Sequence, residues 1–112
     1  AAARGDRLGL IDNWLRHVQD VREKHAAALA AIADETKRID RLCELNVIEQ
    51  AWNVSQTTVV LDAWKRGQDL TVHAWIYDIG DGLLRDLDVS IARPDEAAVR
   101  YAAALRALGA KP

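Results

Sequence analysis

A chain of 112 residues, half of them hydrophobic, is one domain's worth of protein at most, and a chain this short buries only about 65% of its unfolded surface. A formal net charge of −2 and a pI near 5.9 leave no basic face for nucleic acid or an anionic membrane, and no apolar run approaches the ~20 residues of a bilayer-spanning helix. The single cysteine, Cys43, excludes an internal disulfide framework and fits a reducing, cytoplasmic setting.

In chain order, Leu8, Ile11, Leu15 and Val18 recur at three and four, with Trp14 and Val21 widening the stripe, which predicts a helix over 8–25. An alanine-rich stretch, 25–33, continues or kinks it. Asp34-Glu35-Thr36 marks a break and an N-cap. A second long helix follows over 37–54, and Ile39, Leu42, Leu45, Val47, Ile48 and Trp52 spread round most of its circumference, so it should be largely buried. A short helix over 58–66 stops at Gly67. From Leu70 to Tyr77 the pattern changes to period two: Leu70, Val72, Ala74 and Ile76 alternate with Thr71, His73, Trp75 and Tyr77, as in a strand. A turn over 78–82 and a return strand over 86–91 complete a hairpin. Pro94-Asp95-Glu96 opens a last helix that Gly109 ends. The fold class is α/β: mainly helices plus a C-terminal β-hairpin and a terminal helix. Two strands are marginal alone, so the hairpin needs a larger sheet to join.

The ionisable inventory does not assemble a reaction centre. His17 and His25 lie eight apart on one helix, and no HExxH or CxxC pair occurs. Cys43 with two histidines remains arithmetically open as a zinc site; the plainer reading makes Cys43 a core helix residue and His73 a strand residue with a satisfied ring. Asp78, Asp81, Asp86 and Asp88 gather at the hairpin without EF-hand spacing and read as a solvated acidic turn. The tryptophans at 14, 52, 64 and 75, without interleaved basic residues, read as core or interface residues.

Collinear blocks carry a family resemblance. LGLIDNWLRHVQD (8–20), LCELNVIEQ (42–50), AWKRGQ (63–68), HAWIY (73–77) and DGLLRDLDV (81–89) together resemble the C-terminal half of β-class carbonic anhydrases, most of all the bacterial Can-like subgroup. The resemblance implies a partial β-carbonic anhydrase fold in which residues 1–112 form the C-terminal portion of a single domain. It implies a parent enzyme, a lyase, that reversibly hydrates carbon dioxide to bicarbonate. In the family a zinc ion held by two cysteines and a histidine lowers the pKa of its bound water. Those ligands lie in a Cys-x-Asp-Ser-Arg type motif and a later His-x-x-Cys motif, and neither occurs here. Cys43 aligns with neither, so the chain alone is expected to bind no zinc, to have no catalytic residue and to be inactive.

One site residue carries over: Tyr77 matches the tyrosine of a non-catalytic bicarbonate pocket found in some members. The alternative is an ordinary rim or interface tyrosine. The implied partners are the missing N-terminal half of the fold, further copies in a homodimer or tetramer, and carbon dioxide or bicarbonate. A start at Ala1-Ala2-Ala3 without an initiator Met reads as a chain that continues upstream. A second reading, of a different class, is a metal-free scaffold or oligomerisation module derived from the family.

Overall fold

In the computed structural model, which describes residues 10–111, helix ends coincide with residues suited to make them. Helix α1 (Ile11–Lys24) turns Val18 and Val21 inward and ends at His25, where φ −108° and ψ 25° leave the helical region. The alanine-rich stretch forms a separate short helix, α2 (Ala26–Ala30). Helix α3 (Glu35–Ser55) starts on Asp34, whose carboxylate accepts the Thr36 N–H at 2.9 Å. Helix α4 (Thr58–Lys65) starts on Thr57, whose hydroxyl accepts the Val60 N–H, and Gly67 just beyond its end takes φ +78°. Strands β1 (Val72–Tyr77) and β2 (Leu84–Ile91) pair antiparallel. Helix α5 (Pro94–Ala107) opens with Pro in its first turn and Asp95 and Glu96 facing its positive end. Expectations placed on residues 1–9 and on the Trp14 side chain lie outside the described residues.

The hairpin departs from the alternation read in the sequence. The first strand begins at Val72 rather than 70, because the Leu70 carbonyl accepts the Trp64 indole N–H at 2.8 Å. The second begins at Leu84, opposite Tyr77. Between the His73–Ser90 and Trp75–Asp86 pairs, Ala74 faces three residues of β2, a bulge centred on Asp88 at φ 60°. Asp86 accepts the Asp88 N–H at 2.9 Å and so supports that conformation. At the tip, Asp78 accepts from the Gly80 amide and Asp81 from the Leu83 amide. The acidic cluster therefore shapes the turn.

The core lies where α3 meets the inner hairpin face and α5. Leu42, Leu45, Ile48 and Ala51 pack with Ala74, Val89 and Ile91 and with Ala97, Tyr101, Ala104 and Leu105. Helix α3 is buried over less of its surface than expected: Ile39 is 38% exposed, and Cys43, expected in the core, is exposed. Cys43 follows the buried Leu42 by one residue, hence about 100° round the helix. Two arginines of α3 bind neighbouring helix ends. Arg38 donates to the Ile32 carbonyl at 2.8 and 3.1 Å, just after α2, and Arg41 donates to the Leu108 carbonyl at 2.5 Å, just after α5. Among the described residues no helix is long and apolar enough to cross a membrane.

Leu45 is fully buried at the centre of this packing, whereas Val59 on α4 is 76% exposed. Leu45→Ala should lower stability by about 2–5 kcal/mol and Val59→Ala by less than about 0.5 kcal/mol, read from urea denaturation midpoints.

Candidate functional site

Two regions gather the residues that could carry chemistry: a buried carboxylate between α1, α3 and α5, and the outer face of the hairpin. The first begins with Glu49, which follows the core residues Leu45 and Ile48 on α3 and is itself only 6% exposed. A carboxylate withdrawn from water requires charged or strongly donating partners. Three side chains meet that need. Tyr101 of α5 donates its hydroxyl proton to Oε1 at 2.6 Å, His25 Nε2 donates to the same oxygen at 2.8 Å, and the Lys24 ammonium lies 3.0 Å from Oε1 and 3.2 Å from Oε2.

Lys24 also donates to the Tyr101 hydroxyl at 2.6 Å. Its Nζ is 5.2 Å from the ring centroid, so the ammonium lies off the ring edge beyond the hydroxyl, a hydrogen bond rather than a cation–π contact. The Tyr101 ring meanwhile packs on Trp52, centroids 4.9 Å apart. His25 is pinned as the corner residue: its N–H donates to the Val21 carbonyl and its own carbonyl accepts the Leu29 N–H, both at 3.0 Å. The groups shift one another. Burial alone would push the Glu49 carboxyl up, but the hydrogen bonds from Tyr101, His25 and Lys24 outweigh it and hold the group below the usual carboxylate range. Burial likewise opposes the charge on Lys24, yet its bonds to Tyr101 and Glu49 leave its affinity for the proton raised. Burial and the bond to Glu49 push the Tyr101 phenol up.

On the outer hairpin face, His73, Trp75 and Tyr77 stand in a row. The His73 and Trp75 rings stack with centroids 5.0 Å apart, and His73 Nδ1 bonds to Ser90 Oγ at 2.9 Å, so the expected satisfied ring is present. Tyr77, the one residue singled out from the sequence, ends β1 opposite Leu84 and is 61% exposed. A Cβ added at Gly82 (φ +70°) would lie 3.8 Å from the Tyr77 hydroxyl. Trp75 is half exposed, unlike the partly buried Trp52 and Trp64.

The described residues do not fit a zinc centre. No three His, Cys, Asp or Glu side chains among them converge on a common point. His25 and His73 already bond to Glu49 and Ser90. The Cys43 thiol is pushed up by partial desolvation and then by Asp40 and Glu44, which disfavours the metal-binding thiolate. Sequence reading missed the Glu49 cluster altogether. Its members are 24, 25, 49 and 101 in the chain, with no local spacing to betray them; the one available signal was a Glu placed a helical turn beyond Leu45 on the most apolar stripe of α3.

A family model described as carbonic anhydrase matches residues 1–84. A carbonic anhydrase of Emericella nidulans is 42% identical over 82 residues, covering 73% of this chain and 36% of that protein. Among solved structures, the Coccomyxa β-carbonic anhydrase in complex with acetazolamide superposes with a TM-score of 0.76 at 35% identity, over 83% of this chain and 41% of that one. One of the tetrameric β-carbonic anhydrases from Sordaria macrospora gives a TM-score of 0.70 at 34% identity, over 82% of this chain and 49% of that one. The chain thus spans less than half the length of each of these relatives.

Tyr101→Phe keeps the ring on Trp52 but removes two hydrogen bonds of the buried cluster, and should lower stability by about 1.5–3 kcal/mol, measured by chemical denaturation at pH 7. The raised Lys24 and Tyr101 hold their protons more tightly folded than unfolded. Their contribution is therefore complete below pH ~10 and lost as pH rises further. The wild-type denaturation midpoint should fall above that pH, and less steeply in Tyr101→Phe.

Proposed function

This chain belongs to the β-class carbonic anhydrase family, and from that premise we propose that residues 1–112 are the C-terminal portion of a single domain in a zinc-dependent enzyme hydrating carbon dioxide reversibly to bicarbonate. The observation that carries this reading is the hairpin. Its inner face is packed on α3 and α5, while its outer face presents Trp75, Tyr77 and Leu84 to solvent at 50%, 61% and 56% exposure. Among the described residues the sheet has two strands with an open aromatic face and two unpaired edges, which supports its being the rim of a larger sheet. The N-terminal half of the same fold is the partner that would extend it. The zinc would be held there, by Cys-x-Asp-Ser-Arg and His-x-x-Cys motifs, and would supply a hydroxide nucleophile when bound. The described side chains offer it no ligand set, so no step of the hydration is assigned to them. Their part is to hold the hairpin in place through α3 and α5.

The complete protein would act as a homodimer or tetramer, a reading supported by the tetrameric Sordaria relatives. A cytoplasmic setting is supported by the single reduced Cys43. Tyr77 would supply a hydroxyl to a non-catalytic bicarbonate pocket completed by residues of the other half. Its exposure and its place at the hairpin's open end support that role.

Purified alone, the 112-residue chain should hold no stoichiometric zinc by metal analysis and show no hydration of carbon dioxide by stopped flow. Joined to an N-terminal half bearing both motifs, it should do both. Stoichiometric zinc in the lone chain would overturn the division of labour, and a joined protein that folds but stays metal-free and inactive would favour the scaffold reading. In the joined enzyme, Tyr77→Phe should weaken inhibition by bicarbonate about tenfold, the loss of one hydrogen bond to a charged ligand, with the rate at low bicarbonate unchanged. Equal inhibition of variant and parent would return Tyr77 to an ordinary rim residue.

A further inference from the structure

Glu49 holds a corner of the fold that has little else to hold it. Helix α1 fully buries only Val21 among its described side chains, and α2 only Leu29. By contrast α5 buries Ala97, Ala104 and Leu105 besides Tyr101 against α3 and β2, and the hairpin sits on α3 through Ala74, Val89 and Ile91, each at most 1% exposed. The bonds from Lys24, His25 and Tyr101 all end on one carboxylate. The weakly held α1–α2 corner therefore depends on the charge state of a single group.

The groups facing that carboxylate are known element by element. From α1 and its corner come Lys24 and His25, and His17 and Asp20 line the cleft of about 150 Å³ beside it, together with Gln50 and Asn53 of α3. From α5 comes Tyr101. Helix α2 (AAALA) carries no titratable group, and the hairpin residues in the core are apolar. Protonation of Glu49 removes, among the described residues, the only buried negative charge opposite Lys24 and takes an acceptor from two donors crowded on Oε1.

We propose that Glu49 is an acid-operated latch: when its carboxylate takes up a proton, the α1–α2 corner detaches from α3 while α5 and the hairpin stay packed. Because the folded carboxyl is held below its usual range, the stabilisation is fully present above about pH 4.3, the unfolded value. It is lost as pH falls through the lower folded value. The latch is closed throughout the neutral range.

Hydrogen exchange by mass spectrometry on the 112-residue chain at pH 7 and about pH 3.5, corrected for intrinsic rates, tests this. Peptides covering 18–31 should open several-fold more at the lower pH, up to the limit of about sevenfold that an unfolded carboxyl near 4.3 allows, and those covering 72–77, 84–91 and 97–108 should not. Glu49→Gln, neutral at both pH values, should show enhanced opening that no longer depends on pH. Tyr101→Phe, which keeps the carboxylate but removes a donor, should move the acid midpoint upward. The latch is overturned if Glu49→Gln keeps the wild-type pH dependence, if α5 or the hairpin loses protection together with 18–31, or if Tyr101→Phe leaves the midpoint in place.

Discussion

A carboxylate moved out of water is destabilising by several kcal/mol unless its charge and lone pairs are met, and meeting them for Glu49 constrains three helices at once. Lys24 must end α1, His25 must turn the corner into α2, and Tyr101 must lie on the inner side of α5. Each position is reinforced by a second interaction: the Lys24 ammonium near the negative end of α1, the backbone bonds of His25, and the Tyr101 ring on Trp52. The carboxylate adds direction to apolar contacts that alone would allow these helices to slide.

Helix α3 is the frame on which that direction is imposed. It sends Glu49 to the polar cluster, Arg41 to the end of α5 and Arg38 to the carbonyls that follow α2. Its apolar residues meanwhile hold the inner face of the hairpin. The result is a one-sided arrangement, with helices on one face of two strands and an aromatic row on the other. Family membership gives that exposed face its meaning. The chain spans less than half the length of each matched relative, and a two-stranded hairpin is marginal without further packing.

Much of the secondary structure was legible because the signals are local. Asp34 and Thr57 cap the helices they precede, Gly67 and Gly109 take positive φ past helix ends, and Pro94 opens α5. The hairpin was legible in outline, but its bulge was not. Alternation of Leu87, Val89 and Ile91 looks regular in sequence, whereas the positive φ at Asp88 and the pairing of Trp75 with Asp86 depend on how two strands register. Cys43 was misplaced because an apolar-flanked residue on a long helix reads as buried until the neighbours that cover each side are known.

The sequence by itself determined the helices, the hairpin and the family, since caps, periodicity and collinear motif blocks are written in neighbouring residues. It also singled out Tyr77, whose exposed place at the end of β1 the structure describes. Only the tertiary structure decided that Glu49 is buried and which side chains satisfy it. Those partners lie 24, 25 and 52 residues away, and nothing in the local pattern specifies a contact made by folding three helices together. Charge pairing in a core is set by which surfaces meet, and that is a property of the packed chain.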